Sequence, residues 1–244
     1  MPHKNRLRIK LFADGADINS MLELYRDPMI KGFTTNPTLM KKSGIKDYEK
    51  FAKQVLLEIP DRPVSFEVFA DDLEVMFDQA KVIASWGQNV NVKIPVTNTK
   101  GEFTGSIIKK LSATGIQLNI TAVFTSMQVR AIARNLSFDT PAIVSVFAGR
   151  IADTGRDPLP IMSECVEILK DLPKAELLWA SPRELLNIIQ ANEIGCHIIT
   201  ATPDVLGKLK FLGKDLSEFS LETVQMFFND ASTAGYKINT QDIT

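Results

Sequence analysis

Short apolar runs alternate with amphipathic segments along the whole chain. Each run is rich in Val, Ile, Leu or Phe and is followed by apolar residues at helical spacing. We predict strands at residues 7–13, 30–34, 64–68, 90–96, 116–121, 142–147, 176–180 and 197–200. Strands that alternate with helices, without hairpin signals, favour a parallel sheet. Eight such units in 244 residues favour closure into a (β/α)8 barrel, an α/β fold.

The segments between these strands predict the helices of the barrel and one helix more. We predict helices at residues 17–26, 47–58, 73–85, 105–114, 125–135 and 159–172, at a start formed by Ser181 and Pro182, and at a short segment from Pro203. Asp71 or Asp72 is the expected N-cap of the third helix. Residues 149–158 are predicted to be a polar loop. An amphipathic helix at about 217–234 is extra to the eight units, and we expect residues 1–244 to form a single domain.

Composition and charge exclude several classes of function. The net charge is −1 and no long basic run occurs, which argues against a nucleic-acid partner. No apolar stretch approaches the roughly 18 residues of a membrane span, and residues 1–6 lack the apolar core of a signal peptide. Cys165 and Cys196 stand alone and are expected to be reduced, so we expect a cytoplasmic protein without a structural zinc site.

Lys93 interrupts the apolar run of the fourth predicted strand. It lies between Val92 and Ile94, and Pro95 ends the run. Desolvation disfavours an ammonium group in such a place, and an uncharged lysine amine is a nucleophile that forms a Schiff base with a carbonyl. The alternative is structural, with the stem of Lys93 packed in the core and its amine extended to water or paired with a carboxylate.

Polar side chains occur at or near the end of every predicted strand. Parallel barrels place their active sites at the carboxyl ends of the strands, so these side chains are expected to share one rim. The polar residues in these positions are Asp14, Thr35, Asn36, Glu67, Lys93, Asn119, Thr121, Ser145, Arg150, Ser181, Arg183 and Thr200. Buried polar groups are expensive unless they are paired, so a full rim of them favours a site and makes a catalytic Lys93 the stronger interpretation.

These residue types suit the cleavage of a carbon–carbon bond beside a ketone. A Schiff base on Lys93 is an electron sink, and a carboxylate, either Asp14 or Glu67, can move the proton of the β-hydroxyl group. Amides and hydroxyls at Asn36, Asn119, Thr121 and Ser145 can bind sugar hydroxyls or a water molecule. Arg150 and Arg183 suit a phosphate group, with Ser181 beside them. The alternative is that either arginine pairs with an acidic residue of the rim, such as Asp153 or Glu184.

The same residues carry a resemblance to a known family. The matching stretches occur in family order at residues 11–14, 34–38, 67–68, 92–97, 119–124, 147–153 and 180–183. The sequence resembles the transaldolase family, especially its short members, which include fructose-6-phosphate aldolases. The stretch Thr34 to Pro37 together with the Val92 to Pro95 strand is a specific combination, whereas either alone is weak.

The resemblance implies a (β/α)8 barrel of the class I aldolase type with the Schiff base on Lys93. Nothing in the sequence points to a metal, flavin, nicotinamide or pyridoxal cofactor, so we expect none. It implies proton transfer by Asp14 and a catalytic water held by Glu67 and Thr121. Sugar contacts are implied at Asn36, Asn119 and Ser145, and we include Thr35 and Phe147 in the substrate-binding set. Arg150, Ser181 and Arg183 would hold the phosphate of a small sugar phosphate. The final helix resembles one that, in short members, packs on a neighbouring subunit, so a homo-oligomer is expected.

Two positions favour transfer of a three-carbon unit over its release. Transaldolases of this family have glutamate and phenylalanine at the positions of Glu67 and Phe147, whereas its aldolases tend to have glutamine and tyrosine there. The chain departs from the family at residues 145–150, in an insertion at 98–103 and around 200–213. Three functions therefore stay open: a transaldolase acting on sedoheptulose 7-phosphate or fructose 6-phosphate, an aldolase of the fructose-6-phosphate type, and a barrel that binds a sugar phosphate without catalysis.

Overall fold

Eight parallel strands close into a barrel in chain order, as the alternating pattern predicts. The computed structural model describes residues 7–239. Each strand pairs with its neighbours in sequence, and β1 pairs with β8 to complete the ring. The strands are β1 (Lys10–Asp14), β2 (Ile30–Thr34), β3 (Val64–Glu67), β4 (Val90–Pro95), β5 (Leu118–Val123), β6 (Ala142–Val146), β7 (Ala175–Trp179) and β8 (Ile198–Ala201). The predicted (β/α)8 fold is confirmed.

Helices surround the barrel, and each predicted helix has a counterpart. They are α1 (Ile18–Tyr25), α2 (Pro37–Lys42), α3 (Tyr48–Glu58), α4 (Leu73–Ala84), α5 (Gly105–Ala113), α6 (Ser126–Ala133), α7 (Ala148–Ala152), α8 (Leu159–Leu169), α9 (Leu186–Glu193), α10 (Pro203–Leu206) and α11 (Leu216–Thr233). A 3₁₀ segment, Gly207–Phe211, follows α10. Side-chain caps start several of them; for example, Asp72 accepts hydrogen bonds from the amides of Glu74 and Val75, which settles the N-cap of α4.

Two predictions about the loops beyond β6 and β7 are wrong. Residues 149–158 are not a loop throughout, because α7 begins directly after β6 and buries Ala148 and Ile151. The helix after β7 begins at Leu186, not at the predicted start of Ser181 and Pro182. Ser181 has a φ of 58°, in the left-handed region, whereas an N-cap residue takes an extended conformation. Ser181 is therefore a strained turn residue and not a helix cap.

The apolar core has two parts, outside and inside the barrel. The larger part lies between the strands and the helices. The smaller part fills the barrel and comprises Phe12, Ile143, Leu178, Ala180 and Ile198, with Phe147 packed against it. We call this smaller cluster the barrel floor, because it lies below the polar side chains that stand at the carboxyl ends of the same strands.

Helix α11 confirms the predicted C-terminal helix but is not covered by the rest of the described chain. None of its residues is buried, although it carries many large apolar side chains. Phe227 is 62% exposed and Phe228 is 71% exposed. Within residues 7–239, no helix is long and apolar enough to cross a membrane.

Candidate active site

A cavity of about 370 Å³ opens at the carboxyl ends of the barrel strands. It lies where parallel barrels place their active sites. Ten of the twelve predicted site residues line it: Asp14, Asn36, Glu67, Lys93, Asn119, Thr121, Ser145, Phe147, Arg150 and Ser181. Thr34, Pro37, Thr38, Leu39, Ala122, Leu178, Ala180 and Thr200 complete the lining. The barrel therefore brings together residues that are spread over most of the sequence.

Lys93 is a buried amine that faces this cavity. The residue is only 6% exposed, and its Nζ donates a 2.7 Å hydrogen bond to the carbonyl oxygen of Thr35. Nζ also lies 3.1 Å from Oε2 of Glu67, the residue that pairs with Lys93 across β3 and β4. The amine is thus fixed by two oxygen partners at the ends of neighbouring strands. The burial of Lys93 excludes an amine extended to bulk water, whereas its pairing with Glu67 is the other form of the structural alternative, a lysine paired with a carboxylate.

Asp14 is a second ionisable group on the same rim, and it is half-buried. Its Oδ1 accepts a 2.8 Å hydrogen bond from Thr34, and its Oδ2 accepts a longer one, 3.4 Å, from the Asn36 side chain. Burial raises the pKa of Asp14 above its ordinary value of 3.8, and the nearby Lys93 and the two hydrogen bonds oppose that rise. A carboxyl group with a raised pKa is suited to accepting and returning a proton near neutral pH.

Asn119 and Ser145 form a hydrogen-bonded pair deeper in the barrel. Asn119 is fully buried, and its Nδ2 donates to Oγ of Ser65 at 3.0 Å. Its Oδ1 accepts a 2.6 Å hydrogen bond from Oγ of Ser145. These bonds fix which way the amide of Asn119 points, so that polar atoms on β5 and β6 meet the cavity in a defined arrangement.

Helix α7 and the turn after β7 meet closely at one side of the cavity. The amide of Gly149 donates to the carbonyl oxygen of Ala180 at 3.2 Å. A Cβ atom on Gly149 would lie 1.5 Å from the carbonyl oxygen of Ser181, so only glycine permits this approach. Ser181 and Arg150, the residue after Gly149, both line the cavity. The guanidinium of Arg150 lies 5.2 Å from the ring centre of Phe147.

Backbone strain is concentrated at the same cavity. Among the described residues other than glycine, only Ala122 and Ser181 have positive φ, 57° and 58°, and both line the cavity. Such conformations persist where the surrounding structure enforces them, and they cluster at functional sites.

Two predicted site residues do not line the cavity. The Thr35 side chain is buried and donates to the carbonyl oxygen of Ser65 at 2.9 Å, although the Thr35 carbonyl group is a partner of Lys93. Arg183 donates from Nε to Oδ1 of Asp153 at 2.9 Å and forms an ion pair with it, and the arginine holds the pKa of Asp153 below its usual range. An ion pair of an arginine with Asp153 is the structural alternative to phosphate binding by that arginine.

Thr34 is a cavity residue that the sequence prediction did not include. Its Oγ1 touches both Asp14 and Oγ1 of Thr200, the latter at 2.6 Å. The period of two along a strand could have indicated it, because Asn36 and Thr34 point to the same side. Ala122 carried no such signal, since its side chain has no polar atom.

Comparison with known proteins agrees with this geometry. Residues 11–244 match the family model described as transaldolase/fructose-6-phosphate aldolase. A "Probable transaldolase" of Dehalococcoides mccartyi is 36% identical over 81% of this chain and 88% of that protein. Another, of Thermoanaerobacter, is 33% identical over 94% of this chain and the whole of that protein.

Solved structures of lower similarity support the fold alone. The crystal structure of 2,3-dimethylmalate lyase superposes with a TM-score of 0.53 at 12% identity, covering 99% of this chain and 88% of that one. Because the family model covers residues 11–244 and these relatives are 36% and 33% identical, the chain belongs to the transaldolase/fructose-6-phosphate aldolase family.

Proposed function

We propose that this protein is a transaldolase that moves a dihydroxyacetone unit from a ketose phosphate to an aldose phosphate through a Schiff base on Lys93. The observation that carries the proposal is the buried Nζ of Lys93, 3.1 Å from the Glu67 carboxylate in the same cavity as Asp14. Fructose 6-phosphate and sedoheptulose 7-phosphate are the proposed donors, which would place the reaction in the pentose phosphate pathway. Family membership and relatives named as transaldolases support this choice.

The first half of the proposed reaction cleaves the donor. The Lys93 amine attacks the ketone carbon, and the carbonyl oxygen leaves as water, with Glu67 and Thr121 handling that water and its protons. Asp14 then takes the proton of the C4 hydroxyl group. The C3–C4 bond breaks, its electron pair moves into the iminium to give an enamine, and the aldose phosphate departs.

The second half reverses these steps on an acceptor. The enamine carbon attacks the aldehyde of the acceptor, and Asp14 returns its proton to the new hydroxyl group. Water held by Glu67 and Thr121 then hydrolyses the iminium and frees Lys93. The proposed contacts of the sugar chain are Asn36, Asn119, Ser145 and the ring of Phe147. Thr35 contributes its backbone carbonyl group, which accepts the hydrogen bond from Nζ of Lys93.

We assign the phosphate group to Arg150 and Ser181, which follow β6 and β7. Arg150 and Ser181 both line the cavity, and a guanidinium group recognises phosphate with paired hydrogen bonds. Arg183 is a different case because it is paired with Asp153. Its predicted role in phosphate binding stays a prediction and would require it to leave that carboxylate.

Borohydride trapping tests the proposal directly. Reduction in the presence of fructose 6-phosphate should add a sugar fragment to Lys93, which mass mapping would locate, and Lys93→Met should lose both the label and turnover by at least about a thousandfold. Labelling of another lysine, or normal turnover by Lys93→Met, would contradict the Schiff base.

The acceptor dependence separates transfer from release. With fructose 6-phosphate alone, a transaldolase retains the three-carbon unit and forms little glyceraldehyde 3-phosphate, whereas erythrose 4-phosphate restores turnover. Equal production with and without erythrose 4-phosphate would instead identify an aldolase. The carboxylate of Glu67 supports transfer, because a carboxylate can exchange protons with water and an amide cannot.

Helix α11 supports a homo-oligomer as the assembled form. Leu221, Phe227 and Phe228 are all more than half exposed in the described chain, and an apolar surface of this kind is typical of an interface. Light scattering should show a multimer for the parent protein and a smaller species for Phe227→Asp. A monomer in both cases would remove the assignment. The two free, buried cysteines support a reducing compartment such as the cytoplasm.

A further inference from the structure

Tyr48 lies outside the cavity lining but contacts the backbone of a residue within it. It is the first residue of α3, and Asp47 fixes that start by accepting a 3.0 Å hydrogen bond from the amide of Lys50. The Tyr48 hydroxyl accepts a 2.7 Å hydrogen bond from the amide of Glu67 and donates a 2.9 Å bond to the carbonyl oxygen of the same residue. One hydroxyl group therefore holds both backbone polar groups of Glu67.

The direction of those two backbone groups follows from the hydrogen bonds of β3. The amide of Phe33 donates to Pro63, and the amide of Thr35 donates to Ser65, so alternate residues of this segment face β2. The intervening positions face β4, as the bond from the amide of Val68 to Lys93 shows. By this alternation Glu67 also turns its amide and carbonyl groups toward β2.

The pairing of β2 with β3 cannot continue to Glu67. The next donor in the series would be residue 37, which is proline and has no amide hydrogen. The next acceptor would be the carbonyl oxygen of Thr35, and that oxygen already accepts the 2.7 Å hydrogen bond from Nζ of Lys93. Without another partner, the amide of Glu67 would compete with Lys93 for Thr35.

We propose that Tyr48 is a positioning residue that replaces the missing strand partner at Glu67 and so keeps the Thr35 carbonyl group available to Lys93. Its hydroxyl sets the place of Glu67 at the end of β3, and with it the 3.1 Å approach of the carboxylate to Nζ. The inference rests on the proposed roles of Lys93 and Glu67.

The surroundings of Tyr48 suit a fixed hydroxyl group. Its ring lies edge-on to Trp86 at 5.5 Å and to Phe66 at 6.2 Å, and it tilts against Phe69 at 4.6 Å. Burial raises the pKa of Tyr48 above its ordinary value, so the hydroxyl keeps the proton that it donates to Glu67. The aromatic cluster thus leaves the oxygen little freedom to leave the backbone of Glu67.

The central experiment removes this one oxygen with Tyr48→Phe and uses Tyr25→Phe as the matched control. The Tyr25 hydroxyl bonds to Asp61 at 2.6 Å at an exposed position. We expect Tyr48→Phe to lower kcat about tenfold to a hundredfold, because small displacements of catalytic groups have effects of that size. KM for fructose 6-phosphate should change little, since the phosphate side is untouched, and Tyr25→Phe should behave as the parent.

A double-mutant cycle distinguishes positioning from general support of the fold. If Tyr48 acts through Glu67, Tyr48→Phe should add little further loss of kcat in a Glu67→Gln background. Independent, multiplying losses would overturn the proposal. Turnover is expressed per site that borohydride can trap after long incubation, so a reduced yield of folded protein does not enter the comparison.

The remaining outcomes separate this inference from the proposed function. If the parent protein is not labelled at Lys93, the proposed function fails. If the parent is labelled and Tyr48→Phe matches it in kcat per trapped site, only the role of Tyr48 fails. A Tyr48→Phe protein that traps no sugar and lacks the circular dichroism of the parent would show a role in folding, and the positioning assignment would be withdrawn.

Discussion

The interior of the barrel is built in two contrasting levels. The barrel floor is apolar and tightly filled: Phe12 is 2% exposed, and a Cβ atom on Gly32 would lie 2.5 Å from its ring. The level above it, at the carboxyl ends of the same strands, carries Asp14, Glu67 and Lys93 around an open cavity. A single strand can contribute to both, since Phe12 and Asp14 stand two residues apart on the same face of β1.

The contrast indicates where the stability of this fold lies and where its chemistry lies. The floor removes apolar surface from water and packs Phe12 closely against Gly32, which stabilises the folded state. The upper level holds carboxyl and amine groups in a poorly solvated place, which costs free energy unless they are paired. At Asp14, burial raises the pKa by more than Lys93 and the two hydrogen bonds lower it. Substitutions in the two levels should therefore have opposite consequences.

The largest expected effect is at Asp14. Asp14→Asn should reduce turnover by about a hundredfold to ten-thousandfold, because the amide cannot take the hydroxyl proton. The same variant should be more stable than the parent at neutral pH, on the order of 1 kcal/mol or more, since it no longer buries a carboxylate. Activity assays and urea unfolding on the same preparations test both parts.

The pH dependence of this stability difference sharpens the test. The folded protein holds the Asp14 proton more tightly than the unfolded chain, so the carboxyl group contributes stability that is fully present below pH 3.8. That contribution is lost as the pH rises through the raised folded pKa. The gain of Asp14→Asn over the parent should therefore grow between acid and neutral pH. A constant gain would show that Asp14 titrates alike in both states.

Phe12 should show the opposite behaviour. Phe12→Ala should lower the free energy of unfolding by about 3–5 kcal/mol, because it leaves a cavity in the floor that its neighbours cannot fill. Turnover per folded molecule should stay within a few-fold of the parent, measured at a temperature where the variant is folded. A loss of turnover as large as that of Asp14→Asn would show that the barrel floor also determines activity, and that stability and turnover do not divide between the two levels.

The periodicity of the sequence was sufficient to predict the barrel but not its loops. Parallel buried strands appear as continuous apolar runs, so the eight strands could be placed to within a few residues. Helix α7 was missed because Gly149, Arg150 and Asp153 suggest a loop, whereas the burial of Ala148 and Ile151 depends on contacts with other strands. The helix start at Ser181 was wrong because nothing in the sequence indicates that this residue takes a left-handed conformation in close contact with Gly149.

The candidate site likewise contains residues that the sequence could predict and residues that it could not. Residues at strand ends could be predicted because closure of the barrel forces them onto one rim. The sequence allowed Arg183 either to bind a phosphate or to pair with Asp153. Nothing in the sequence distinguishes these two roles, so the ion pair could be predicted only as an alternative. Nothing in the sequence indicated that Tyr48 contacts the site. It belongs to a helix, and its bond to Glu67 lies just where Pro37 cannot continue the pairing of β2 with β3.

The next largest effect is expected at Arg150. Arg150→Ala should weaken the binding of fructose 6-phosphate by about ten- to a hundredfold, because a charge-assisted hydrogen bond contributes roughly 1.5–3 kcal/mol. The apparent affinity for free fructose should change little. An equal loss for both sugars would mean that Arg150 only supports helix α7, and the phosphate assignment would be withdrawn.

The smallest effect is expected at Arg183, and it completes the comparison within the rim. Arg183→Ala should change the preference for fructose 6-phosphate over fructose by only about twofold, because the guanidinium group is already satisfied by Asp153 at an exposed position. Asp153→Asn is the matched control, since it weakens the ion pair and keeps the shape of the side chain. If Arg183 turns to the phosphate when substrate binds, Arg183→Ala should lose as much as Arg150→Ala, and Asp153→Asn should strengthen phosphate binding. The two arginines would then act together, whereas unchanged preferences in both variants would leave Arg150 and Ser181 as the phosphate site.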